Sequence, residues 1–200
     1  MRIIVVGATG TIGKAVVKSL ASEYEVVRVA SKSGDFRVDM TRKDSIDKLF
    51  KEVGSFDALV CAAGVARFGA LSELSDEDFQ LGLNGKLMGQ VNLVRVGVEY
   101  INDNGSFTLT SGILSHQPMA GSASISMVNA GIEGFVRAAA LELPRGIRIN
   151  VVSPPWVKET LVALGMDSSN GMPAERVAQA YRASLAGTRS GTVINARDFA

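Results

Sequence analysis

The stretch Val5-Val6-Gly7-Ala8-Thr9-Gly10-Thr11-Ile12-Gly13 limits what this chain can fold into more than any other. An apolar run, Ile3 to Val6, stops at a glycine, glycines recur every third residue, and Lys14 to Leu20 continues with helical periodicity. That pattern predicts a buried strand, a tight turn and a helix. A side chain in the turn would keep the backbone away from a phosphate and the helix away from its strand. Main-chain N–H groups at the helix start, aided by the helix dipole, then face an anion. Gly7, Thr9, Gly10, Thr11, Ile12 and Gly13 are accordingly read as the pyrophosphate cradle of a dinucleotide site.

Two hundred residues fit one α/β domain spanning 1–200, and 46% hydrophobic with 20% charged residues suits a compact globule. A net charge of +1 gives no basic field for nucleic acid and no basic face for a membrane. The first apolar run is too short for a signal peptide, no run is long enough to span a bilayer, and a cytoplasmic location is expected. Cys61 is the single cysteine and His116 the single histidine, so neither an internal disulfide nor a metal cluster is expected.

Further along, Glu25 to Ala30 reads as the second strand of a βαβ unit. The residue at the tip of that strand meets the adenosine ribose: an acid there suits NAD, a cation suits NADP. The chain offers Ser31 and Lys32, with no carboxylate before Asp35, so NADP is favoured over NAD. Phe36 to Asp39 forms a very short strand, Lys43 to Val53 an amphipathic helix, and Phe56 to Gly64 a buried strand ending in small residues over which a flat cofactor can lie. One long helix is predicted from Asp76 to about Asn102, capped by Ser75, and then a strand over Phe107 to Thr110. A helix over about Ser124 to Leu143 is rich in alanine and glycine, which suits packing on the sheet and against a partner subunit. Strands over Gly146 to Val152 and Gly191 to Asn195 enclose a last helix, Pro173 to Leu185. Strict alternation calls for a parallel sheet with helices on both faces.

These pieces, in order, resemble the short-chain dehydrogenase/reductase family over essentially the whole length. The resemblance rests on the glycine turn and Val38-Asp39-Met40-Thr41, Ala62-Ala63-Gly64, Thr110-Ser111 and Glu133-Gly134-Phe135. Further along it takes in Ala140-Leu141-Glu142-Leu143, Arg148-Ile149-Asn150-Val151-Val152-Ser153-Pro154 and Gly191-Thr192-Val193-Ile194. It implies a three-layer Rossmann fold with a seven-stranded parallel sheet, a nicotinamide cofactor, and homodimers or homotetramers built on the two long helices. It also implies that Asp39 meets the adenine, that Ala62, Ala63 and Gly64 line the cofactor, and that Ser153 and Pro154 lie by the nicotinamide.

The departures fall on the proton-transfer machinery. Family enzymes carry Tyr-x-x-x-Lys at the start of the fifth helix. Aligning Glu133-Gly134-Phe135 puts Ile125 and Asn129 at those two positions, and none of Tyr24, Tyr100 and Tyr181 has a lysine four residues on. Ser111 matches the family serine that hydrogen-bonds the substrate oxygen. The family asparagine of the fourth helix falls on Lys86 or, with a two-residue slip, on Asn84; an inward Lys86 would place a cation near the nicotinamide. His116, on the loop beyond Ser111, is a third candidate proton carrier. Trp156, after Pro154-Pro155, fits either a pocket floor or the core. Two readings stand: an NADP(H)-dependent oxidoreductase of a small carbonyl or alcohol with an atypical proton donor, or a non-catalytic dinucleotide-binding protein, a redox sensor or oligomeric partner.

Overall fold

The computed structural model describes residues 1–199, and within them every strand runs parallel in one seven-stranded sheet of order β3-β2-β1-β4-β5-β6-β7. The strands are β1 (Arg2–Val6), β2 (Glu25–Ala30), β3 (Phe36–Arg37), β4 (Phe56–Cys61), β5 (Ile101–Thr110), β6 (Arg148–Ser153) and β7 (Val193–Asn195). Their order reverses between β1 and β4, whose register Ile3 with Ala58 through Val6 with Cys61 brings both carboxyl ends to one edge. Ligands bind in doubly wound folds at that switch point.

Helices cover both faces because both faces are apolar. Ile4, Val6, Leu59, Phe107 and Val151 pack under α2 (Lys43–Val53), α4 (Gly89–Gly97) and α5 (Ala123–Ala139). Ile3, Val5, Ala58 and Val60 pack under α1 (Thr11–Leu20) and α7 (Ala174–Ala186). Full burial of each such side chain is worth about 1.5–3 kcal/mol. Polar groups under α7 pair with one another: the Tyr181 hydroxyl lies 2.6 Å from Thr110 Oγ1, which donates to the Cys61 carbonyl at 2.6 Å. Burial pushes the Tyr181 phenol well above its ordinary value, so that buried tyrosine braces the fold.

The long helix predicted from Asp76 is three pieces. A capping box from Ser75 and Asp78 opens α3 (Asp76–Gly82); a π-helical turn, Leu83–Met88, follows; α4 then ends at Gly97. The apolar periodicity runs on through Tyr100 and Ile101, but Ile101 pairs with Phe56 and so already belongs to β5, six residues ahead of the strand predicted from Phe107. Asn104, at φ 60°, and Gly105, whose added Cβ would stand 2.7 Å from the Asp57 carbonyl, form an irregular entry that breaks the strand's alternation and hides it in the sequence. The fifth helix stops at Ala139, with Leu143 in a turn before Pro144. Among the described residues no helix is long and apolar enough to cross a membrane.

Candidate active site

The glycine turn is held from both sides. Gly7 N and Ala8 N donate to the Val29 carbonyl at 2.8 and 3.1 Å, and Gly10 N donates to Gly7 O at 3.0 Å. A Cβ on Gly13 would stand 1.9 Å from Gly7 O, and one on Gly7 would meet the Ala62 backbone at 2.8 Å, so neither position admits a side chain. These contacts use up the amides of Gly7, Ala8 and Gly10. Gly10 is also the N-cap of α1 and brings no side chain to satisfy the first turn, whose amides belong to Thr11, Ile12 and Gly13. Thr9, Gly10 and Thr11 are exposed, and no acidic residue stands in that first turn. The turn therefore fits a pyrophosphate.

At the adenosine edge Ser31 and Lys32 are exposed on the turn after β2. Asp35, the nearest acid, is tied to Arg28: its carboxylate accepts from Arg28 N at 2.8 Å and from the guanidinium at 2.6 Å, which holds it below the usual carboxylate range. Asp39 accepts from Thr41 N at 3.0 Å and Thr41 Oγ1 at 2.7 Å, which also lowers its carboxyl. A carboxylate turned back on its own loop in this way is fixed in direction while staying exposed.

At the other end, Ala62, Ala63 and Gly64 leave β4 as a bare floor. Cys61 lies beneath it, fully buried, and burial raises its thiol to about 12. Lys86 crosses this floor: a Cβ on Gly64 would stand 2.6 Å from Lys86 Cγ, so the missing side chain at 64 makes room for the lysine stem. The π-helical turn brings Lys86 inward. Gln90, just after it, is fully buried and grips the end of β5, donating to Thr110 O at 2.9 Å and accepting from Thr110 N at 2.8 Å. Lys86 Nζ then reaches the Ser111 carbonyl at 3.1 Å. Desolvation lowers its ammonium from the ordinary 10.5 to about 8.

The four candidate catalytic residues separate. Lys86 faces the site. Asn84 is exposed in a shallow depression with Thr41, Asp76 and Gln80. Ser111 is buried at the end of β5 and donates its hydroxyl to Glu133 Oε1 at 2.9 Å. His116 is exposed on the rim, its Nδ1 3.0 Å from Ser115 Oγ, and Ser115 in turn donates to Glu133 at 2.6 Å. Glu133 was singled out only as part of a motif; its burial beneath two hydroxyls could not be read from spacing.

Asn129, on α5, points its Nδ2 toward Gly112 O at 3.4 Å, while its buried Oδ1 has no partner among the described residues. Ser153 Oγ, at the end of β6, is likewise buried and unpartnered. Buried polar atoms are nearly always satisfied. Two orphans at the nicotinamide end fit a ligand that offers hydroxyl and amide groups there.

A doubly wound sheet with a glycine cradle at its switch point defines a nicotinamide-dinucleotide-binding Rossmann protein. A family model described as enoyl-(acyl carrier protein) reductase matches residues 1–191, and the chain belongs to the short-chain dehydrogenase/reductase family. It is 28% identical to carbonyl reductase family member 4 of Xenopus laevis, over 84% of this chain and 80% of the relative. It is 30% identical to the 3-oxoacyl-[acyl-carrier-protein] reductase FabG of Thermotoga maritima, over 76% of this chain and 65% of that relative. Among solved structures, the protein lin1944 from Listeria innocua superposes with a TM-score of 0.94 at 42% identity, covering 98% of both chains. A small-chain dehydrogenase in complex with NADPH superposes at 0.88 and 28% identity, over 98% of this chain and 95% of that one.

Proposed function

We propose that this family member is an NADP(H)-dependent oxidoreductase of a small carbonyl or alcohol, in which Lys86 carries the proton that Tyr-x-x-x-Lys handles elsewhere in the family. Lys86 Nζ, desolvated over Gly64 and held by the Ser111 carbonyl, is the observation that carries the reading. The cofactor, when bound, supplies the hydride. Lys86 then gives a proton to the developing alkoxide oxygen and recovers one from solvent, work that a group with a value near 8 performs well. A π-helical turn commonly accompanies function, and here it supplies the rotation that points the lysine inward.

The choice of NADP rests on exposed Ser31 and Lys32 beside an Asp35 whose charge is engaged by Arg28. The 28%-identical small-chain dehydrogenase was solved with NADPH, which supports the same choice. Asn129 Oδ1 and Ser153 Oγ receive the ribose hydroxyl and carboxamide groups. Exposed Met127, Ala130, Gly134, Ala138 and Leu141 on and beyond α5 leave a small-residue face for a second copy of the chain. The alternative, a dinucleotide binder without turnover, is favoured by one fact: Ile125 and Asn129 stand where the family's acid/base pair stands. Stopped-flow mixing of the protein with NADPH and a carbonyl panel separates the two. Turnover lost in Lys86→Met with NADPH affinity retained is expected; tight NADPH binding with no turnover in the parent protein overturns the enzyme reading.

A further inference from the structure

Three loops leave the site at the carboxyl edge of the sheet: the one after Gly64, the one entering α5, and the one after Ser153. Two of them carry aromatic rings that touch. Phe68 and Trp156 stand edge to face, their centroids 6.5 Å apart at 69°. Phe68 is nevertheless 46% exposed and Trp156 half-buried, so the contact does not hide either ring.

Both rings are fixed by backbone. Gly69 N donates to Gly121 O at 3.0 Å, tying the Phe68 loop to the segment just ahead of α5. Gly121, at φ 84°, would place a Cβ 2.8 Å from Phe68 Cε1, so a side chain there would displace the ring. Trp156 follows two prolines, and its carbonyl accepts from Met172 N at 2.9 Å, while Lys158 N donates to Met172 O at 2.8 Å. Rings held this way lose little entropy when a ligand arrives. Val65, on the Phe68 loop, and Met119, on the loop entering α5, add exposed apolar surface. The one cation of the Phe68 loop, Arg67, is paired with Asp78 at 3.0 Å.

We propose that Phe68 and Trp156 form a bracket for an aromatic or cyclic apolar group on the substrate, making this a reductase of ring-bearing carbonyl compounds rather than of polyols. The inference rests on the carbonyl-site reading of Lys86. Aromatic rings favour offset or edge-on contacts with a further ring, which a hydroxylated chain cannot supply. Arg67, the cation of the Phe68 loop, is engaged by Asp78 rather than turned free toward an anionic group.

Trp156 is the only tryptophan in the chain, so its emission reports this site directly. The protein saturated with NADP⁺ is titrated with acetophenone, cyclohexanone and dihydroxyacetone, and consumption of NADPH is followed separately with each. The expected result is a saturable emission change with the two cyclic ketones and none with dihydroxyacetone. In Phe68→Ala their Kd weakens about tenfold, while Phe68→Tyr restores it. An equal response to dihydroxyacetone, or a response indifferent to Phe68→Ala, overturns the bracket. Cyclic ketones bound but not reduced would leave the bracket standing and remove the oxidoreductase reading. Dihydroxyacetone reduced as well as the cyclic ketones would do the reverse.

Discussion

The two ends of the dinucleotide site are built from different materials. At the pyrophosphate end the partners are main-chain amides, and the side chains that matter are the missing ones at Gly7 and Gly13. At the nicotinamide end the polar groups are side chains from three elements: Lys86 in the π-helical turn, Glu133 and Asn129 on α5, and Ser153 on β6. Backbone sites depend on a turn that few sequences can make, so they stay recognisable. Side-chain sites can hand a role from one helix to another, and here a cation stands on the π-helical turn while α5 holds an amide. The lesson is that the backbone end of such a site is easier to recognise in a chain than the side-chain end, where the proposed proton route departs from the family's.

The sharpest way to break that contrast is Lys86→Met. Turnover is expected to fall by about 10²- to 10⁴-fold with NADPH affinity within about threefold of the parent; equal loss of both would place Lys86 in binding alone. Carbonyl reduction in the parent is expected to fall as pH rises through about 8, because the donor is then deprotonated. The stability signature runs the other way. Lys86 titrates near 8 in the fold and near 10.5 in the unfolded chain, so between those values the unfolded state binds more protons and stability rises with pH. Urea midpoints across that window should show the slope in the parent and lose it in Lys86→Met.

Next in size comes the backbone end. Gly13→Ala forces a Cβ against Gly7 O and is expected to lower unfolding free energy by about 3 kcal/mol and abolish NADPH binding. Unchanged denaturation and binding would show that the turn relaxes freely. Ser111→Ala removes a buried hydroxyl from Glu133 and is expected to cost about 2 kcal/mol in a urea titration with turnover within about threefold. A large fall in turnover instead would return Ser111 to the substrate. Smallest is Lys32→Ala, expected to weaken NADPH about tenfold and NADH less than twofold by fluorescence titration; equal losses would detach Lys32 from the 2′-phosphate.

The sheet, its helices and the glycine cradle were legible because period, glycine spacing and alternation report backbone directly. The break at Gly97 was not, since Tyr100 and Ile101 continue the helical apolar rhythm while pairing as strand. Lys86 was legible as a candidate, but choosing it over Asn84 required the π-helical turn, which shifts helical phase by an amount no residue announces. Ser111 shows the opposite limit: a strand-end serine looks the same in sequence whatever its hydroxyl faces, and its hydrogen bond to Glu133, 22 residues on, is visible only in the fold.

Cys61, sealed under the cofactor floor with its thiol near 12, leaves the folded protein silent toward maleimides and iodoacetamide. A cysteine introduced on the surface could therefore carry a dye or spin label without first removing the native one. The rate at which Cys61 itself becomes alkylated would then clock how often the sheet opens beneath its ligand.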